Sequence, residues 1–118
     1  MAAKIVEILQ YRLKPTTGKD FHKIMREISI PLHVQHSIDV VAYGCSRHDI
    51  DHYYLIREFE NEVRMKSVLD DFYASDDWQR GPREEIVSRI EASLKSTMLL
   101  SPGAVAAMRN CFQDAEKE

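Results

Sequence analysis

The stretch 69-LDDFYASDDWQRGPREEI-86 carries the single tryptophan of the chain, Trp78, between a crowded acidic turn and a Gly81-Pro82 pair. Leu69 and Phe72 continue a helical period that starts with Val63 and Val68, and Asn61 stands where a helix cap is needed. Ser75 predicts the end of that helix. Pro82 suits a first helical position, where a missing amide proton costs nothing, and Glu84 and Glu85 place negative charge at the positive end of the helix dipole. The stretch therefore reads as one helix split at a corner. It restarts as a segment expected to carry Ile86, Val87, Ile90 and Leu94. Trp78 is expected to plug the corner as a core anchor, with a place in a ligand wall as the alternative.

Outward from this corner, the chain alternates strand and helix patterns. "KIVEILQYRL" (residues 4–13) has period two and is apolar enough on both faces for an interior strand. Lys14-Pro15 ends it, and Thr17 with Asp20 resembles a capping box at a helix start. Phe21, Ile24, Met25, Ile28 and Leu32 then recur at helical spacing. Pro31 cannot donate to the carbonyl of Glu27, so that helix is expected to kink or end near Ser29-Ile30 and resume through His36. "IDVVAYGCSR" and "HYYLIREFE", joined by "HDID", predict a hairpin over residues 38–60. "STMLL" (residues 96–100) reads as a short last strand. The resulting order, β-α-β-β-α-β with a split second helix, is the ferredoxin-like arrangement of an α+β domain.

After Ser101-Pro102-Gly103, Val105, Met108 and Phe112 mark a C-terminal helix with a narrow apolar stripe, and residues 116–118 are polar. The division expected is a domain over residues 1–101 and a helical tail over residues 102–118. An isolated helix of this length is marginal in water, so docking is expected, either on its own subunit or across a dimer, with the partner subunit taken as the surface and Cys111 shielded there.

Composition bounds the function classes. A chain of 118 residues with 44% hydrophobic content has room for one core. Sixteen basic residues are scattered among nineteen acidic ones, which gives no footprint for nucleic acid. No apolar run approaches the roughly 20 residues a bilayer span requires, and the start of the chain alternates rather than forming a leader's apolar block, so a cytoplasmic location is expected. Cys45 and Cys111 make neither a disulfide framework nor a zinc spacing.

Two segments then carry a family resemblance. "VEILQYRLKPTTGKDF" resembles the opening of NIPSNAP-family domains through Glu7, Tyr11, Leu13, Lys14, Pro15 and Phe21. "VRMKSVLDDFYASDDWQRGPREEI" resembles the same family's second signature through Arg64, Phe72, Tyr73, Ser75, Trp78, Gly81, Pro82, Arg83 and Glu84. The pattern departs at Leu9, where many members have Arg, and at Arg57, where many have an apolar or aromatic residue. The resemblance implies a dimeric α+β barrel, in which two ferredoxin-like subunits join their sheets. Apolar residues on both faces of the predicted strands support such a homodimer, since a lone sheet would leave one face in water.

Candidate site residues follow from the strand pattern. Glu7 and Tyr11 fall two strand periods apart on one face, so a carboxylate and a phenol converge on any cavity there, joined by Tyr43, Arg57 and Trp78 as candidate ligand-binding residues. The plain alternative is a carboxylate satisfied by Arg12, Arg57 or a backbone amide. His33 and His36 have a spacing that can share a metal ion, but no third ligand is anchored by motif, so neither a metal site nor a cofactor is expected. No acid, base and nucleophile set can be assembled, and no catalytic residue is assigned. The expectation is a homodimeric barrel that binds a small hydrophobic or aromatic ligand. The alternative, by analogy with related barrel families, is a cofactor-independent monooxygenase or isomerase acting on a small organic molecule.

Overall fold

A computed structural model describes residues 2–116. Four antiparallel strands, β1 (Lys4–Leu13), β2 (Asp39–Cys45), β3 (His52–Phe59) and β4 (Ile90–Leu100), form one sheet in the order β2-β3-β1-β4. This is the ferredoxin-like α+β topology, with β1 and β3 inside and β2 and β4 at the edges. Ile5, Leu9 and Leu13 of β1 and Tyr53, Leu55 and Phe59 of β3 point to the face covered by helices.

That cover comes in two pieces. The first helix begins as α1 (Gly18–Ile24), passes through a π turn (Met25–Ser29) and continues as α2 (Ile30–Gln35). The π turn lies directly before Pro31, where the absent amide proton breaks the regular ladder, as the sequence led us to expect. Ser37 ends α2 in a left-handed conformation (φ 60°), with Ile38 N–H donating to the His33 carbonyl at 2.9 Å and Ser37 N–H to that of Val34 at 3.0 Å. These are the two bonds of a Schellman cap. The second piece is α3 (Glu62–Ala74), α4 (Asp76–Gln79) and α5 (Arg83–Val87). Asn61 Oδ1 accepts from Arg64 N–H at 2.7 Å and Ser75 Oγ from Trp78 N–H at 3.2 Å, so the split helix is capped on both sides of its break. Leu69 and Phe72 are buried while Val63, in the first turn, stays exposed. Trp78 fills the corner, 5.5 Å from the Phe72 ring and 5.2 Å from that of Tyr73.

Three expectations are corrected. The last strand begins at Ile90, not Ser96, so Ile90 and Leu94 belong to a strand and not to the preceding helix. Spacings of four fit a helix stripe and alternate strand positions equally, and the pairing of β4 with β1 from Lys4↔Leu100 to Leu13↔Ile90 decides between them. Thr17 makes no side-chain cap. Its Oγ1 donates to the Lys14 carbonyl, and the free amides of Thr16 and Gly18 are instead held by the two carboxylate oxygens of Asp51, reaching from the β2–β3 turn at 3.0 and 2.8 Å. Gly18 is required by this approach, since a Cβ there would lie 1.9 Å from the Ile50 carbonyl oxygen.

The third correction concerns the C-terminal helix, α6 (Pro102–Glu116), which docks on its own sheet. Val105 is buried against Val6 and Val41 on the face opposite the other helices, with Ile8, Ile56 and Met108 around them. Arg109 fixes the helix by donating to the Val40 carbonyl at 2.8 Å and to Glu58 at 2.9 Å, which covers part of the β2 edge. Cys111 is exposed rather than shielded. The polar end expected at residues 116–118 lies outside the described side chains. Among the described residues, no helix is long and apolar enough to cross a membrane.

Candidate functional site

Strand register builds the site. Glu7 on β1 sits directly opposite Arg57 on β3, and Lys95 on β4 is one diagonal step away, opposite Leu9. All three side chains share the helix-covered face. Arg57 Nε donates to Glu7 Oε1 at 2.6 Å, with Nη2 also 2.6 Å from the same oxygen, and Lys95 Nζ lies 3.2 Å from Glu7 Oε2. Glu7 and Arg57 are each 1% exposed. A buried ion pair is tolerated only when its remaining valences are filled, and here they are. Arg57 Nη1 donates to the Tyr73 hydroxyl at 2.8 Å and to His33 Nε2 at 3.1 Å. Among the described residues no buried side-chain nitrogen or oxygen lacks a partner.

The tautomer of His33 follows from its neighbours. Nε2 faces a guanidinium that can only donate, so it must accept, and the proton sits on Nδ1, which donates to the Ser29 carbonyl at 2.7 Å. Burial, opposed by the Ser29 carbonyl and reinforced by Arg57, lowers the His33 pKa to about 4. The unfolded chain therefore takes up a proton near pH 6.5 that the folded chain refuses until about pH 4. The stability this contributes is complete above pH 6.5 and is lost as the pH falls through that window, by roughly 3 kcal/mol in all. His33→Asn, whose amide can still donate to Ser29, should flatten the urea-unfolding free energy between pH 6.5 and 4 relative to the unaltered protein. Parallel curves would show that His33 titrates freely in the folded state.

Beside this network a pocket of about 530 Å³ opens between α3 and the β4 side of the sheet. Glu7, Tyr11, Arg57, Tyr73, Ser93 and Lys95 bring polar groups to it, and Leu9, Met65 and Leu69 supply apolar wall. Burial and the neighbouring Tyr73 raise the Tyr11 pKa, so its phenol stays neutral. Arg57 is pushed the other way by burial, but Tyr73 and Glu7 outweigh that effect and its pKa is raised.

The candidate residues divide accordingly. Glu7, Tyr11 and Arg57 meet at one pocket. Tyr43 lies apart, lining a second pocket of about 500 Å³ beside α6 with Val34, Arg109 and Phe112. Arg109 is already anchored there by Val40 and Glu58, and that pocket lacks a buried ionic centre. Trp78 belongs to the core, where it supports Tyr73 from behind. Tyr73, Ser93, Lys95 and His33 were not among the expected site residues. Ser93 and Lys95 are found only once β4 is known to begin at Ile90, because then their alternation aligns them with Tyr11 and Leu9. His33 spends both ring nitrogens on Ser29 and Arg57, and His36 pairs with Asp77 at 3.1 Å, so the two do not converge on one ion. The Cys45 thiol pKa is raised by burial and by Asp51, which disfavours the nucleophilic thiolate.

No family model and no curated protein matches the sequence. Solved structures do. A NIPSNAP family protein from Agrobacterium tumefaciens superposes with a TM-score of 0.78 at 16% identity, over 86% of this chain and 90% of that one. A second from the same organism, of unknown function, gives 0.76 at 21% identity over 83% and 88%. An uncharacterised NIPSNAP domain protein from Burkholderia xenovorans gives 0.74 at 14% identity over 83% and 95%. The chain thus has the fold of these NIPSNAP family proteins.

Proposed function

We propose that this chain is a NIPSNAP-like protein that binds a small, largely aromatic or apolar organic molecule in the pocket beside Glu7 and Arg57. The observation that carries the reading is the convergence of a buried, fully paired ionic centre and two phenols on a single pocket of ligand size. The pairing favours binding over turnover, because Glu7 is held by two cations and is poorly placed to exchange protons with a substrate. A thermal-shift screen of small organic molecules tests this. Compounds are expected to raise the Tm, and Ser93→Trp, which fills the pocket from an exposed rim position, should abolish the effect. A library without a single stabilising compound, or hits indifferent to Ser93→Trp, would overturn the reading.

The assembly belongs to the same proposal. Two copies form a homodimer through the sheet face that α6 leaves open, where Met98 (opposite Val6) and Leu94 (72% exposed) lie on β4 beside an unpaired strand edge. Such an interface should bury more than roughly 2,000 Å² in total. Equilibrium sedimentation is expected to return a dimer at micromolar concentration, and a stable monomer would contradict it. The setting proposed is cytoplasmic, in keeping with two unpaired thiols, one of them exposed.

A further inference from the structure

Building on the proposed binding pocket, we infer that its ligand carries an anionic oxygen group, a carboxylate or an enolate, attached to a planar apolar body and held by Tyr11, Tyr73 and Lys95. The hydrogen-bonding valences of the lining fix the polarity. Glu7, the one buried acceptor with a charge, already receives Arg57 on one oxygen and Lys95 on the other, so it has little left to offer a donor on a ligand. The groups with unused capacity are donors. The Tyr73 hydroxyl accepts from Arg57 Nη1, which leaves its own proton to be given. The Tyr11 hydroxyl has no hydrogen-bond partner among the described residues and belongs to the pocket wall. With its pKa raised by burial it remains a donor at any physiological pH. Lys95 spends one of three N–H bonds on Glu7, and its half-exposed side chain can swing into the pocket.

Charge points the same way. The lining holds Glu7 and Asp70 against Arg57, Lys66 and Lys95, one positive charge in excess. A site that is mostly donors, with one surplus cation and a floor of Leu9, Met65 and Leu69, complements an anionic acceptor on a flat apolar frame. A cationic ligand would meet Arg57 and Lys95 without a free carboxylate. A neutral apolar ligand would leave the two phenols and the ammonium unanswered inside a partly desolvated space.

Three naphthalenes of equal size separate these cases: 2-naphthoate, 2-naphthamide and 2-(aminomethyl)naphthalene, each titrated into the full chain by calorimetry. The carboxylate is expected to bind about tenfold more tightly than the amide, as charge-assisted hydrogen bonds are roughly twice as strong as neutral ones, and the amine should not bind. Lys95→Met and Tyr11→Phe should each erase most of the preference for carboxylate over amide, because the charged acceptor loses more than the neutral one when either donor is removed. If the amide binds as tightly as the carboxylate, or if neither variant changes the preference, the anion inference is overturned while the binding pocket stands. If no naphthalene binds although the wider screen yields Ser93→Trp-sensitive hits, the inference is overturned as well. Failure of the binding reading itself shows instead as an empty screen.

Discussion

Replacing Arg57 by methionine should destabilise the protein by about 3–5 kcal/mol, because it leaves the Glu7 carboxylate buried beside apolar surface with only a half-exposed lysine for company. The loss extends beyond one ion pair. Tyr73 and His33 surrender a hydrogen bond each, and a buried acceptor without a partner costs more than the bond it once made was worth. The double variant Glu7→Leu/Arg57→Met removes both charges together and should recover most of the deficit, since well-packed apolar residues often replace a buried pair without net cost. Urea unfolding of the single and double variants measures this directly. A single variant within about 1 kcal/mol of the unaltered protein would mean that water reaches the pair and that the site is not desolvated.

The second large effect is expected at Trp78. Its ring packs against Phe72 and Tyr73 within the main core, and Trp78→Ala should cost about 3–5 kcal/mol through lost burial and an unfilled cavity. The consequence for the site is specific. Tyr73 rests on the indole edge-on and presents its hydroxyl to Arg57, so removal of the ring frees Tyr73 to leave that contact and should weaken ligand binding along with stability. Iodide should quench the native fluorescence poorly. Ready quenching would place the indole in water and refute its role as the corner plug.

The sequence carried the architecture because its punctuation is local. Asn61, Ser75 and Pro31 each act on the turn they occupy, and the structure uses them as expected, while Pro82 stands one place earlier than expected, at the N-cap of α5 with Arg83 as its first helical residue. It misled where one spacing serves two periods. Ile86, Ile90 and Leu94 suit a helix face, but the free edge of β1 captures Ile90 through Leu100 as β4. The cap at Gly18 comes from Asp51, distant in sequence and invisible to a search for nearby hydroxyls and carboxylates. The site divides along the same line. Glu7 and Tyr11 share a strand, so their common face was legible, and Arg57 follows from the hairpin alternation. Lys95 and Tyr73 depend on strand register and on the angle of α3, which no single segment records. Tyr43 faces the helical side as its strand pattern suggested, but on the edge strand β2, where the wall of the other pocket begins.

The binding proposed for this chain rests on the pocket beside the Glu7–Arg57 pair being the place where small molecules bind. Two-dimensional 15N–1H correlation spectra of the labelled full chain, recorded with 2-naphthoate and with the strongest compound of the thermal-shift screen, test that placement residue by residue. The account predicts that the perturbed amides gather at Tyr11, Arg57, Met65, Leu69, Ser93 and Lys95, with the opposite pocket unchanged. Perturbations gathered instead at Tyr43, Arg109 and Phe112, or scattered over the surface without a centre, would contradict it.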